Sequence, residues 1–159
     1  MDNIGKGILT GFAATIVLSA VMLMKSVMGA MPQLNAIQMQ TQMLNQYIGT
    51  PMTPLIGWMM HFIIGTVLWG GLFGAFNHLV TGKTELAKGL WFSTAAWLLM
   101  MIVVMPMAGA GIFGLNIGVM APVATLMLHL IFGAVLGYTY ARLLRVPATD
   151  DVAAHVQRA

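Results

Sequence analysis

Residues 54–79, PLIGWMMHFIIGTVLWGGLFGAFNHL, contain no Asp, Glu, Lys or Arg. A helix of about 20 apolar residues is long enough to cross the hydrocarbon core of a bilayer. Similar runs lie on both sides of this one, and across the whole chain 59% of the residues are hydrophobic and only 7% are charged. Since a soluble domain carries about 25% charged residues, this composition indicates an integral membrane protein. It excludes a disordered chain and a nucleic-acid-binding protein.

Turn-forming residues divide the apolar sequence into four predicted membrane-spanning helices. The spans are placed at about residues 7–28, 54–79, 89–108 and 122–143, and a polar cytoplasmic tail follows at 146–159. The insert at residues 32–48 is uncharged, rich in Gln, Asn and Met, and has apolar residues near helical spacing. It predicts an interfacial helix on the outer surface. Residues 1–145 are therefore expected to form an all-α, polytopic four-helix membrane bundle with one outer helix.

The basic residues predict how the chain is oriented. Of the seven Lys and Arg residues, only Lys25 falls on one side of the predicted spans, and the other six fall on the opposite side. Cytoplasmic loops carry an excess of Lys and Arg. Both termini are therefore expected in the cytoplasm. Lys25 is expected to extend towards lipid phosphate.

The absence of several residue types and motifs excludes particular kinds of cofactor site and catalytic site. The chain has no cysteine, which excludes disulfides, thiolate-bound clusters and covalent c-type haem. Its four acidic residues all lie on the predicted cytoplasmic side, so carboxylate-driven proton coupling is not expected. No nucleophile elbow, phosphate loop or paired-carboxylate motif is found. The sequence therefore predicts a protein that is not an enzyme.

The second half of the chain is similar to the first. A shift of 82 residues aligns the first span with the third, and a shift of 68 aligns the second with the fourth. The second shift carries His61 onto His129 and Gly65 onto Gly133, together with four further identities. Because each half contains two spans, the halves are expected to be parallel repeats related by an axis along the membrane normal. The two histidines are then expected at equal depth.

His61 and His129 are the candidate functional residues. Gly65 and Gly133 follow them by four residues, which places each glycine on the same helix face as its histidine. Two imidazoles from facing helices can ligate a haem b or a metal ion, and the glycines would let a flat macrocycle approach the backbone. These four residues are therefore the predicted cofactor site, with the histidines as metal ligands.

Other interpretations of the histidines stay open. Each imidazole could hydrogen-bond a neighbouring helix and only fix the packing, or the pair could line a path for protons or small solutes. The 16 methionines suggest copper as a further cofactor, since thioethers and imidazoles bind Cu(I). Their scatter through every span instead favours core filling.

Three segments have a distinctive pattern, and the two that contain a histidine are the most specific. They are GWMMHFIIGTVLWG (57–70), AWLLMMIVVMPMAGAGIFG (96–114) and MAPVATLMLHLIFGAVLGYTYARL (120–143). In these segments the chain resembles a family of small bacterial and archaeal four-span membrane proteins of unknown function. The resemblance covers about residues 5–144 and implies a multi-pass protein of the bacterial cytoplasmic (inner) membrane. It implies no activity, substrate or site residue.

The function predicted from the sequence is that of a small, non-enzymatic accessory or assembly component of a membrane complex. Its expected partners are the lipid bilayer and either other membrane subunits or further copies of the chain, and nucleic acid is not among them. Two alternatives belong to other classes. One is a bis-histidine electron-transfer protein with haem b or copper, and the other is a transporter of protons or small solutes.

Overall fold

The computed structural model describes residues 2–145, which form five helices. The helices are α1 (Asn3–Val27), α2 (Ala36–Ile48), α3 (Pro54–Phe76), α4 (Glu85–Met107) and α5 (Ala121–Leu144). All except α2 are long and apolar enough to cross a membrane. The predicted all-α architecture with four spans and one further helix is therefore confirmed. The predicted tail at 146–159 lies outside the described residues.

Polar side chains fix where the helices begin. Asp2 and Thr84 each accept a hydrogen bond from the backbone N–H three residues ahead, at 2.8 and 3.1 Å. Such a cap satisfies one of the free N–H groups of the first turn. Helices α1 and α4 therefore begin four residues earlier than the predicted spans. The helix in the insert begins at Ala36, later than predicted, because Asn35 caps it in the same way.

Helices α1 and α5 lie at the centre of the bundle. Helix α1 packs along both α3 and α5, and α5 packs along α4. Within residues 2–145 no extended contact joins α3 to α4 or to α5. The end of the bundle that carries Asn3 and Leu144 is called the terminal end here. The opposite end, across which α2 lies, is called the capped end.

Glycines bring the helices of each hairpin into backbone contact near the terminal end. They are Gly7, Gly70 and Gly74 between α1 and α3, and Gly89, Gly133 and Gly137 between α4 and α5. A methyl group built on any of them would collide with backbone atoms of the facing helix. Small residues allow such close approach, which is a common way for membrane helices to associate.

The interior contains two separate apolar clusters. The terminal core consists of Ala14, Phe73, Phe132, Leu136 and Tyr140, with Leu18, Trp69, Phe92 and Val135 packed against it. The capped core consists of Leu34, Met101, Met105, Ala110 and Ala121, with Met31, Met39, Trp97, Met100, Phe113, Ile117 and Ala124 packed against it. In the terminal core, Phe73 contacts Phe92 and Tyr140 edge to face, at centroid distances of 5.3 and 5.2 Å. These rings connect α3 with α4 and α5.

Two spans contain π-helical turns. The first π segment, Ile63–Gly70, begins just after His61, and the second, Met100–Val104, lies in α4. The second segment ends just before Pro106, which has no N–H to donate and therefore interrupts the hydrogen bonds of the helix at this point. Because π turns are rare and occur frequently at functional sites, the second segment and the beginning of the first draw attention to the capped half of the molecule. The first segment ends at Gly70, among the glycine contacts of the terminal half.

Candidate functional site

His61 lies on the face of α3 that packs against α1. Its side chain is buried, and its Nε2 lies 3.2 Å from Ser19 Oγ. The Ser19 hydroxyl already donates to the carbonyl of Thr15 at 2.7 Å. A serine has one hydrogen to donate, so both hydrogen bonds form together only in the tautomer in which His61 Nε2 carries the proton and Ser19 Oγ accepts it. The imidazole also meets Trp58 and Phe62 edge to face, which fixes the plane of the ring.

His129 has a different hydrogen bond and therefore a different tautomer. Its Nδ1 lies 2.8 Å from the carbonyl oxygen of Thr125, one turn earlier in α5. A carbonyl oxygen only accepts, so Nδ1 carries the proton and the neutral ring has its lone pair on Nε2. Histidines that bind metals usually donate their other N–H to such an acceptor. His129 is therefore held in a form that can act as a ligand.

The two histidines have separate environments. Among the described residues, no hydrogen bond or ring contact joins their imidazoles. His61 binds α1, whereas His129 binds the backbone of its own helix. Residues 2–145 also contain no group of three or more His, Cys, Asp or Glu side chains placed to hold a metal ion. Shared ligation by His61 and His129 stays a prediction.

The two glycines of the predicted cofactor site are covered by neighbouring helices. A methyl group on Gly65 would collide with the side chain of Thr15. One on Gly133 would collide with the Ser93 side chain and the Gly89 carbonyl. A flat macrocycle could reach these glycines only if α1 and α4 moved away. The glycines therefore do not form an open groove for haem in this arrangement.

At the capped end, equivalent side-chain contacts match α3 with α5 differently from the 68-residue shift that the sequence identities indicate. Ser19 contacts His61, and Met101, which aligns with Ser19 in the 82-residue shift, contacts Thr125. By this criterion Thr125 is the counterpart of His61. His129 lies one turn further along α5, so the contacts do not place the two histidines at matching positions.

Towards the terminal end, the matching of α3 with α5 shifts by one further residue. Gly70 and Gly133 are in equivalent backbone contacts with Gly7 and Gly89. From His61 to Gly70, α3 uses one residue more than α5 uses from Thr125 to Gly133. The π segment Ile63–Gly70 covers this interval and accommodates the extra residue, since π turns bond i to i+5 instead of i to i+4.

Thr125 joins several groups that sequence patterns did not connect. Its hydroxyl oxygen accepts a hydrogen bond from Trp97 Nε1 at 3.1 Å and lies 3.9 Å from the Met101 sulfur. Its carbonyl accepts from His129. Spacing along the chain does not reveal this cluster, because Trp97 and Met101 belong to α4 and the other two residues to α5.

Lys25 has three hydrogen-bond partners that the sequence does not reveal. Its Nζ donates to the carbonyl oxygens of Ala30, Met31 and Leu34, at 3.0, 3.0 and 2.9 Å. An ammonium group has three hydrogens, and these three acceptors use all of them. Lys25 therefore clamps the segment between α1 and α2, and its contact with lipid phosphate stays a prediction. The acceptors are backbone carbonyls, which have no signature in the sequence.

A cavity of about 550 Å³ opens beneath α2, between α1 and the beginning of α3. Its polar lining includes Lys25, Asn35, Gln38 and Thr41, and Trp58 forms part of its wall. Trp58 contacts His61 at a centroid distance of 5.8 Å. The cavity therefore ends close to the more deeply buried of the two histidines.

A comparison with protein families finds one model that covers residues 1–151, described as "Family of unknown function (DUF6789)". No curated protein and no solved structure matches the chain. The family match is consistent with the resemblance found in the three sequence segments. Because the match extends over nearly the whole sequence, the chain belongs to this family of unknown function.

Proposed function

We propose that this protein is a non-enzymatic accessory or assembly component of a complex in the cytoplasmic membrane. In this proposal both termini are cytoplasmic and the capped end faces outwards. The observation that supports it is the presentation of α2, an uncharged polar helix held firmly across one end of an otherwise apolar bundle. Such a helix is available to an extramembrane segment of another subunit.

Helix α2 is fixed at both ends and along its buried side. Thr41 and Ile37 pack directly on Gly57 of α3, where a methyl group would not fit. Near the end of the helix, the Tyr47 hydroxyl donates to the carbonyl of Met107 at 3.3 Å. The Lys25 clamp holds the segment that leads into it. Pre-organisation of this kind lowers the entropic cost of binding a partner.

The opposite side of α2 carries exposed amide side chains. They are Gln42, Asn45 and Gln46. Amide groups both donate and accept hydrogen bonds. A partner can therefore pair with them without the high cost of desolvating a charge. This surface favours a specific protein contact at the level of the lipid headgroups.

The closed terminal half favours a scaffold over a transporter. Backbone contacts between glycines and a core of interlocked aromatic rings fill the bundle there. A solute that entered through the cavity beneath α2 would have to separate these contacts to cross. The two hairpins, which we propose to be parallel repeats, would then serve mainly to support the capped end.

One observation favours a second candidate function, electron transfer through a bound cofactor. His129 is held with the Nε2 lone pair free for a ligand. Reduced-minus-oxidised visible spectra of the purified protein test this candidate, with His129→Ala and His61→Ala as variants. A b-type spectrum that is lost in both variants would support ligation of haem by the two histidines. A flat spectrum after expression with added haem would exclude the haem form of this candidate.

Native electrophoresis of gently solubilised membranes tests the accessory role. The wild-type chain is expected to migrate in an assembly with other subunits. Gln42→Arg, on the exposed side of α2, is expected to release it. Gln33→Arg is the matched control, because Gln33 is also exposed but lies outside α2. A wild-type chain that migrates alone, or an assembly unaffected by Gln42→Arg, would contradict the proposal.

A further inference from the structure

The capped core is unusually rich in methionine. Five of the 16 methionines meet there: Met31, Met39, Met100, Met101 and Met105. They come from the segment after α1, from α2 and from the end of α4, and folding alone brings them together. The terminal core, as far as the described residues define it, consists of aromatic and aliphatic residues without methionine.

Two of these methionines are among the most buried residues of the molecule. Met101 is fully buried, and Met105, four residues later, is 4% exposed. By contrast, Met24 and Met127 on the lipid-facing surface are 59% and 56% exposed. Methionine can fill any irregular core. Its concentration in one of two cores calls for an explanation specific to that end.

We propose that the capped core binds one Cu(I) ion through thioether sulfurs, with Met101 and Met105 as the principal ligands. Thioethers are soft ligands that select Cu(I) over hard cations. The carboxylates among the described residues, Asp2 and Glu85, lie at the terminal end. Hard divalent ions, which need oxygen ligands, are therefore expected to bind poorly at the capped end.

The surroundings of the two methionines are suited to a monovalent cation. Trp97 packs against the same cluster and meets Phe113 at a centroid distance of 5.9 Å, and aromatic faces attract cations. The Thr125 hydroxyl lies 3.9 Å from the Met101 sulfur and donates its hydrogen to the carbonyl of Ala121 at 2.8 Å, so it leaves the thioether lone pairs free for a metal ion. Lys25 carries the same charge as the ion and opposes binding, although its ammonium is neutralised in part by three carbonyl dipoles.

Anaerobic titration of the full-length, detergent-solubilised protein with Cu(I), in competition with a chromophoric chelator, tests this site. The expected result is one Cu(I) per chain. Met101→Leu and Met105→Leu conserve volume and should leave the fold intact. Each is expected to weaken binding by about tenfold or more, in line with the sensitivity of metal sites to their ligands. Met127→Leu is the control and should bind like the wild type.

Ag(I) provides a redox-inert check by native mass spectrometry, and X-ray absorption at the copper edge identifies the ligand atoms. Sulfur scatterers are expected around the bound copper. The proposal is overturned if the wild type retains no Cu(I), if the double variant Met101→Leu/Met105→Leu binds as well as the wild type, or if the scatterers are imidazole nitrogens. This test does not depend on the accessory role, because it requires no partner subunit.

Discussion

The terminal and capped halves of this small bundle are built on different principles. The terminal half brings helices together through glycines and fills the remaining space with interlocked rings. The capped half contains the histidines, the second π segment and the beginning of the first, the methionine cluster and a polar helix clamped across its end. The comparison indicates that the terminal half provides stability and that the capped half carries the candidate functional groups.

The chain contains no cysteine, so single cysteines can test whether the two halves face opposite compartments. Asn3→Cys at the terminal end is expected to be protected from a membrane-impermeant maleimide in intact cells. Gln33→Cys is expected to react fully, since Gln33 is exposed at the capped end, faces outwards in the proposed orientation and lies outside α2, where the partner is proposed to bind. Permeabilised cells provide the control in which both positions react. Reaction of Asn3→Cys in intact cells would invert the orientation.

Removal of a ring from the terminal core is expected to have the largest effect on stability. Phe73 is fully buried between Phe92 and Tyr140. Phe73→Ala should lower the free energy of unfolding by about 3–5 kcal/mol, because it leaves a cavity in a close-packed core. Phe76→Ala, on the same helix but 48% exposed, should cost much less. If thermal unfolding showed the same loss of stability for both variants, the prediction that Phe73 stabilises the core more than the exposed Phe76 would be wrong.

Two adjacent glycines offer a sharper test of the helix contacts. Gly70→Ala places a methyl group against the backbone of α1 and is expected to cost about 1–3 kcal/mol, as overpacking does. A methyl group on Gly71 would meet only the Ile8 side chain at 3.8 Å, an ordinary contact. Gly71→Ala should therefore be neutral or slightly stabilising. Similar melting temperatures for the two variants would show that the close approach at Gly70 is not required.

The hydrogen bond between His61 and Ser19 is expected to contribute less. Ser19→Ala leaves the imidazole N–H without its acceptor, and such interhelical bonds average about 0.6 kcal/mol in membranes. Thr139→Ala is the control, because the Thr139 hydroxyl bonds only within its own helix. A loss of stability that is no larger for Ser19→Ala than for Thr139→Ala would argue against a bridging role for His61.

The sequence was sufficient to predict the spans but not their neighbours. Long runs without charge determine which segments can enter a bilayer, and this property is local. Which span lies at the centre depends on contacts between distant residues. Each of the four long helices is apolar around most of its circumference, so hydropathy alone could not indicate that α1 and α5 form the middle of the bundle.

The candidate site was predictable in part. The sequence singled out His61 and His129, and the structure gives each of them a defined hydrogen bond. It did not reveal their separate environments, because the packing of the helices matches His61 with Thr125 and not with His129, and no local pattern in the sequence shows this. The Lys25 clamp and the convergence of the methionines also depend on the folded backbone.

Site-specific photo-cross-linking is the most direct test of the claim that function resides at the capped end. A photoreactive amino acid would be placed at Gln42 on α2 and, for comparison, at Tyr138, an exposed residue near the terminal end of α5. The account predicts one discrete protein adduct from position 42 in native membranes and none from position 138. Adducts of the same kind and yield from both positions, or adducts to lipid alone from position 42, would contradict it.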